Sequence, residues 1–287
     1  MKDQAEALRK RIHDKDTVQS PKTIAVVSGK GGVGKSNFSL NFAISLSIKG
    51  HKVLLFDMDV GMGNIDILLG NSAKYTIVDF FDESKSLEDI VVEGPNNLHY
   101  IAGGTGLNRL VRLEGNLLNK FTEELSMLLH NYEYVIFDMG AGVSEESLHF
   151  IMSVDEIVVL TTPEPTSITD AYAMLKHIHI RNKEIPFLIV VNRTQNEKEG
   201  FETFNRLQTV AKRFLDRDVK HFGMIPDDRA IHAAVTKQTP FIFDKKSPAA
   251  KALLQMTERY EEQSFKELQQ PNAFHFVSKL KRFLFER

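Results

Sequence analysis

The sequence predicts an α/β protein: an open, doubly wound, mostly parallel sheet between two layers of helices (a three-layer fold), with a short amphipathic helix at its C-terminal end. Three observations carry that prediction. Short β-branched apolar runs recur along the chain and are separated by longer amphipathic stretches, which is the pattern of repeated βαβ units. The runs lack alternating polar residues, so they read as strands buried on both faces. The 287 residues, 42% of them hydrophobic and 26% charged, suit an ordinary globular core.

Taken in order, residues 1–19 are polar, with Ala5, Leu8 and Ile12 at helical spacing, and Ser20-Pro21 closes the segment. The segment reads as an arm. The strands expected after it are Ile24-Ala25-Val26-Val27, Val53-Leu54-Leu55-Phe56, Leu98-His99-Tyr100-Ile101, Tyr134-Val135-Ile136-Phe137, Ile157-Val158-Val159-Leu160 and Phe187-Leu188-Ile189-Val190-Val191. A weaker strand around Val219-Lys220-His221-Phe222 leads into Gly223-Met224-Ile225-Pro226. No linker-like break precedes Gln269-Gln270-Pro271-Asn272. The expected organisation is therefore an arm over 1–19, one domain over 20–270 and a separate element over 271–287.

Composition removes several function classes. The chain has no Cys, which excludes a disulfide framework, a thiolate-held iron–sulfur cluster and a Cys nucleophile, and points to the cytosol. Its start is charged and has no apolar signal core, and no uncharged run approaches the ~18 residues a spanning helix requires. Formal net charge is −2, but residues 272–287 carry Lys279, Lys281, Arg282 and Arg287 against Glu286 alone. A mildly acidic body with a basic tail does not read as a nucleic-acid binder, which would spread Lys and Arg over a broad face. The ten His show no metal-ligand spacing.

Chemistry enters directly after the first strand. Gly29-Lys30-Gly31-Gly32-Val33-Gly34-Lys35-Ser36 satisfies the G-x-x-x-x-G-K-S phosphate-loop pattern and precedes a helix expected over Asn37–Ile48. Glycines let successive backbone N–H groups point into one concavity, and the helix adds its positive end. Lys35 is expected to reach the outer phosphates and the Ser36 hydroxyl to meet Mg²⁺.

The second lysine makes the pattern more specific. Lys30-Gly31-Gly32-Val33-Gly34-Lys35-Ser36 resembles the deviant phosphate loop of the MinD/ParA ATPases. Phe56-Asp57-Met58-Asp59-Val60-Gly61 with Asn64-Ile65-Asp66 resembles that family's first switch, and Phe137-Asp138-Met139-Gly140-Ala141-Gly142 its second, with Met139 where Pro or Thr is usual. Thr162–Asp170, Asn192-Arg193 and Ile225-Pro226-Asp227-Asp228 follow in the family's order, so the similarity covers about 22–245. The resemblance implies a phosphate-loop NTPase that binds ATP and Mg²⁺, dimerises with ATP, and uses Lys30 across the dimer interface. It also implies Asp59 as the residue that positions the attacking water, with Asn192 and Arg193 beside Pro226 and Asp227 around the base.

Residue chemistry agrees with this. Phosphoryl transfer to water needs neutralised phosphate oxygens, a held Mg²⁺ and an oriented water. Asp57 and Asp138 each close an apolar strand, where ligands of open α/β sheets collect; taken singly, either could instead cap a turn. Asp59 could equally be a solvated loop carboxylate. Asn192 could read the adenine edge or cap its own loop. No Asn-Lys-x-Asp signature is present, which favours ATP over GTP.

The tail starts at Phe274. At about 100° per residue, Phe276, Val277, Leu280, Phe283 and Leu284 share one arc, His275, Lys279, Arg282 and Glu286 lie opposite, and Lys281 sits at the border. This reads as an interfacial membrane anchor or as a terminal helix docked on its own domain. The arm Asp3-Gln4-Ala5-Glu6-Ala7-Leu8-Arg9 resembles the activator segment of the FlhG (YlxH) flagellar-number branch of the family. That likeness implies stimulation of the signal-recognition-type GTPase FlhF and contact with flagellar switch (C-ring) proteins. An arm this short is not stable as a helix alone; folding on a partner would be its natural use, and a disordered N-terminus is the alternative. The combined expectation is a cytoplasmic ATPase switch, peripherally and reversibly bound to the inner membrane face, that sets flagellar number or placement. The rival readings are a ParA-type DNA-partition ATPase and a septum-site MinD-like regulator.

Overall fold

The computed structural model describes residues 21–59, 63–82, 84–103, 115–142, 145–267 and 275–285. The arm residues Asp3–Arg9, the switch residues Val60 and Gly61, Phe274 and the side chain of Leu284 lie outside the described residues. The strands are β1 (Lys22–Ser28), β2 (Val53–Met58), β3 (Val91–Glu93), β4 (His99–Ile101), β5 (Tyr134–Met139), β6 (Glu156–Thr161), β7 (Phe187–Thr194) and β8 (Lys220–Pro226). They form one sheet in the order β3-β4-β2-β5-β1-β6-β7-β8. All seven expected strands are present, and every pairing is parallel except β3 with β4. β3 was not expected: three half-buried or exposed residues at a sheet edge leave too short a pattern to separate from a loop.

Ten α-helices are described: α1 (Lys35–Ile48), α2 (Ile65–Leu69), α3 (Ile77–Phe81), α4 (Gly115–Leu129), α5 (Glu145–Ile151), α6 (Pro165–Arg181), α7 (Glu197–Leu215), α8 (Arg229–Thr236), α9 (Pro248–Glu267) and α10 (His275–Phe285). Two apolar clusters, one on each face of the sheet, make the three layers. Phe38 and Phe42 of α1 with Leu253 and Met256 of α9 cover one face. Phe121 of α4, Leu148 of α5, Leu175 of α6 and Leu207 of α7 cover the other. The central strands β1, β2, β5 and β6 are buried almost throughout, as uninterrupted apolar runs require. Gly223 lets α9 lie directly on β8, since a Cβ there would come within 2.5 Å of Met256.

α10 is inserted among the helices of the second face. Phe276 stacks on Phe137 of β5 with centroids 5.0 Å apart, Phe283 stacks on His149 of α5, and Phe276, Val277 and Leu280 belong to the core cluster. Among the described residues no helix is long and apolar enough to cross a membrane.

Candidate functional site

The site gathers at the carboxyl ends of β1, β2, β5, β6 and β7. β1 passes into the glycine loop, and Gly34 takes a left-handed φ of 94° at the start of α1, a conformation that costs glycine least. Gly29 is packed against α6 so closely that a Cβ would lie 2.2 Å from the Asp170 backbone. Gly31 and Gly32 are exposed, Ser36 and Asn37 are half-buried, and Val33 is buried beneath the loop.

Two consecutive residues at the end of β7 hold the loop from behind. Asn192 donates its Nδ2 to the Val33 carbonyl at 2.8 Å, and Arg193 donates Nη2 to the Gly32 carbonyl at 2.8 Å. With the carbonyls engaged on the outside, the loop N–H groups are left to face an anion. The Asn192 Oδ1 accepts from the Arg193 backbone N–H, so Asn192 both caps its own turn and braces the loop. The loop-cap alternative drawn from sequence is thus present, and the amide retains one donor and one acceptor site for a ligand. Both residues border a cavity of about 300 Å³ next to Gly34 and Asn37, closed by Phe38, Ile231, Val235 and Phe241 and edged by Asp227. Its dimensions and apolar walls suit a nucleoside base. Pro226, expected in that wall, borders a separate cavity with Phe201 and Arg259.

Beneath the loop lies a buried cluster of charge. Lys35 Nζ is 3.0 Å from Asp138 Oδ1, and Ser39 donates to the same oxygen at 2.9 Å. In this chain the Lys35 ammonium is therefore paired with a buried carboxylate. Asp138 is fully buried, and its Oδ2 has no hydrogen-bond partner among the described residues. Asp57, in register with Asp138 on the neighbouring strand, accepts from the backbone N–H groups of Asp59, Asn64 and Ile65. Burial, and then the Asp138 charge, push the Asp57 carboxyl up to about 7 against the pull of those N–H groups. A buried carboxylate pair with an unsatisfied oxygen is a hard-oxygen donor set of the kind Mg²⁺ takes with phosphates and water, and Ser36 follows Lys35 in the first turn of α1. The residues fit that ion.

Asp59 and Lys30 flank the loop mouth. Asn64 donates its Nδ2 to Asp59 Oδ2 at 3.1 Å, and a Cβ on Gly140 would lie 3.5 Å from Asp59 Oδ1, so Asp59 sits between the two switch segments. Lys30 Nζ is bound within its own chain, 2.6 Å from Glu164 Oε2 and 3.1 Å from Thr166 Oγ1. Sequence reasoning assigned no role to Asn64, Glu164, Thr166 or Asp170, although all four stand inside the motifs that carried the resemblance. Position in those motifs was the only available signal.

α10 places Phe276, Val277 and Leu280 inward at 5%, 6% and 0% exposure, with Phe283 and Lys281 half-buried. The docked reading of the tail is the arrangement seen in this chain. Phe276, Val277 and Leu280 of the apolar arc are covered by the body.

A phosphate-cradling glycine loop between a central parallel strand and a helix, with a lysine, a hydroxyl and two strand-end aspartates around it, defines a P-loop NTPase. A family model described as ParA, NUBPL iron-transfer P-loop NTPase, matches residues 19–260. The chain belongs to the ParA/MinD family. It is similar to the antiactivator FleN of Pseudomonas aeruginosa, with 33% identity over 241 residues, covering 83% of this chain and 86% of that protein. It is also similar to the flagellum site-determining protein YlxH of Helicobacter pylori, with 40% identity over 198 residues, 69% of this chain and 66% of that protein. Among solved structures, the septum site-determining protein MinD of Pyrococcus horikoshii, complexed with Mg-ADP, shares the fold at a TM-score of 0.69 and 23% identity, over 87% of this chain and all of that one. The family model's description mentions iron transfer, but this chain has no Cys thiolate to hold iron.

Proposed function

We propose that this protein is an ATP-hydrolysing switch that dimerises with ATP, binds the inner membrane surface reversibly and regulates flagellar number or placement. The observation that carries the switch is the state of Lys30. A phosphate loop needs one lysine, Lys35; the second sits at the mouth of the site on an exposed carboxylate that a partner's nucleotide could replace. In this reading Gly29 to Asn37 hold the phosphates, Asn192, Arg193 and Asp227 border the base, and Ser36, Asp57 and Asp138 hold Mg²⁺. The ion would neutralise charge on the β- and γ-oxygens. Asp59, kept in place by Asn64, orients the attacking water, and Lys30 stabilises the partner's phosphates. Asp59→Ala should therefore accumulate as an ATP-bound dimer, while the unaltered chain elutes as a dimer with ATP and a monomer with ADP. A monomer in all three cases sinks the reading.

The flagellar role is supported by the similarity to FleN and YlxH and by the arm. The proposed division is an activator arm over 1–19, the ATPase domain over 20–270 and a membrane-targeting helix over 271–287. Residues Asp3 to Arg9 fold on the signal-recognition-type GTPase FlhF and raise its turnover. Flagellar switch proteins are further partners. A peptide of residues 1–20 should speed GTP hydrolysis by that GTPase; a flat response would leave a septum-site MinD-like regulator, and a salt-dependent DNA mobility shift would instead favour a partition ATPase.

A further inference from the structure

Glu164 stands between two cations. It occupies the N-cap position of α6 without a side-chain cap bond, pairs with Lys30 at 2.6 Å, and is held below the usual carboxylate range by Lys30 first and, more weakly, by Arg193. Arg193 is exposed, takes a left-handed φ of 59°, and commits one N–H to the Gly32 carbonyl. A guanidinium has five N–H donors in a planar fork that matches a carboxylate. Arg193 is thus placed on the phosphate loop with donors to spare, within electrostatic reach of the acid that holds Lys30.

We propose that Arg193 is the alternative partner of Glu164: when Lys30 leaves for the nucleotide of a second copy, Glu164 passes from Lys30 to Arg193. The inference rests on the dimer reading above and adds a positioning residue to it. Without an exchange partner, departure of Lys30 strands the Glu164 carboxylate at a forming interface, where an unpaired charge is disfavoured. With Arg193 the charge remains paired throughout. Thr166, which shares Lys30 with Glu164, is neutral and needs no such replacement.

The test is a double-mutant cycle on the full chain, read as the dimer dissociation constant by sedimentation velocity with Mg²⁺ and a non-hydrolysable ATP analogue. Arg193→Gln should weaken the dimer about tenfold, because two equivalent sites each lose an exposed pair worth up to about fivefold. Arg193→Lys should restore part of it by keeping the charge. In a Glu164→Gln chain, which has no carboxylate to pass on, the same Arg193→Gln change should cost less than about threefold. An equal cost in both backgrounds would mean that Arg193 acts only by bracing Gly32, and the exchange would be overturned while the switch stands. An unaltered chain that remains monomeric with the analogue would overturn the switch and the exchange together.

Discussion

Lys35→Ala is expected to lower the unfolding free energy by about 3–5 kcal/mol and to leave the chain monomeric in ATP and Mg²⁺. Lys35 is 7% exposed and its partner Asp138 is fully buried, so removing the ammonium strands a charge that water cannot reach. The size of this effect distinguishes a buried pair from a surface one, which would be worth 1 kcal/mol or less. Urea unfolding checks it: a loss below about 1 kcal/mol would show that the pair does not contribute to folding. The same cluster has a pH signature through Asp57, whose carboxyl is raised to about 7. Below about pH 4 the group is protonated both folded and unfolded and contributes nothing. Between about pH 4 and pH 7 the unfolded chain gives up its proton while the folded chain keeps it, so stability falls as pH rises, by on the order of 4 kcal/mol in all. Asp57→Asn should flatten that slope without Mg²⁺ or nucleotide. The slope is the cleaner readout, since an Asn amide would face one of the backbone N–H groups that Asp57 accepts.

Deleting residues 272–287 is expected to abolish ATP-dependent sedimentation with anionic vesicles and, at the same time, to destabilise the domain by a few kcal/mol. Phe276, Val277 and Leu280 are buried at 6% exposure or less, and such side chains contribute roughly 1.5–3 kcal/mol each, partly offset by the cost of ordering an 11-residue helix. Their removal uncovers Phe137, the residue next to Asp138. The Phe137–Phe276 stack makes some weakening of nucleotide binding the expected result of the same deletion. In the proposed reading, membrane binding would use the same three side chains that dock the helix and would compete with docking. Sedimentation retained after the deletion would refute the anchor, and an unchanged thermal midpoint would refute the docking.

How far the residues could be read on their own varied with the range of the interaction. The runs Ile24–Val27 and Tyr134–Phe137 announce central strands because burial on both faces forces an uninterrupted apolar sequence, and the glycine loop is legible because its turn demands glycine at fixed spacing. β3 was missed because Val91–Glu93 is short and half-exposed. At Asn192 the amide is satisfied by a carbonyl 159 positions earlier, and no local pattern records that. For Pro226, membership of a motif locates the residue along the strand but does not say which cavity it borders.

The sequence by itself determined the layered α/β architecture, the phosphate loop, the two strand-end aspartates and the apolar arc of the tail, since each depends on periodicity or on the conformational needs of single residues. Only the tertiary structure decided where the charges are spent: Lys35 on Asp138, Lys30 on Glu164, Arg193 on Gly32, and the tail's apolar arc on Phe137 and its neighbours. Those pairings join residues more than a hundred positions apart, brought together by the order of strands in the sheet, and a linear pattern does not encode which of several available partners a charge or an apolar face will meet.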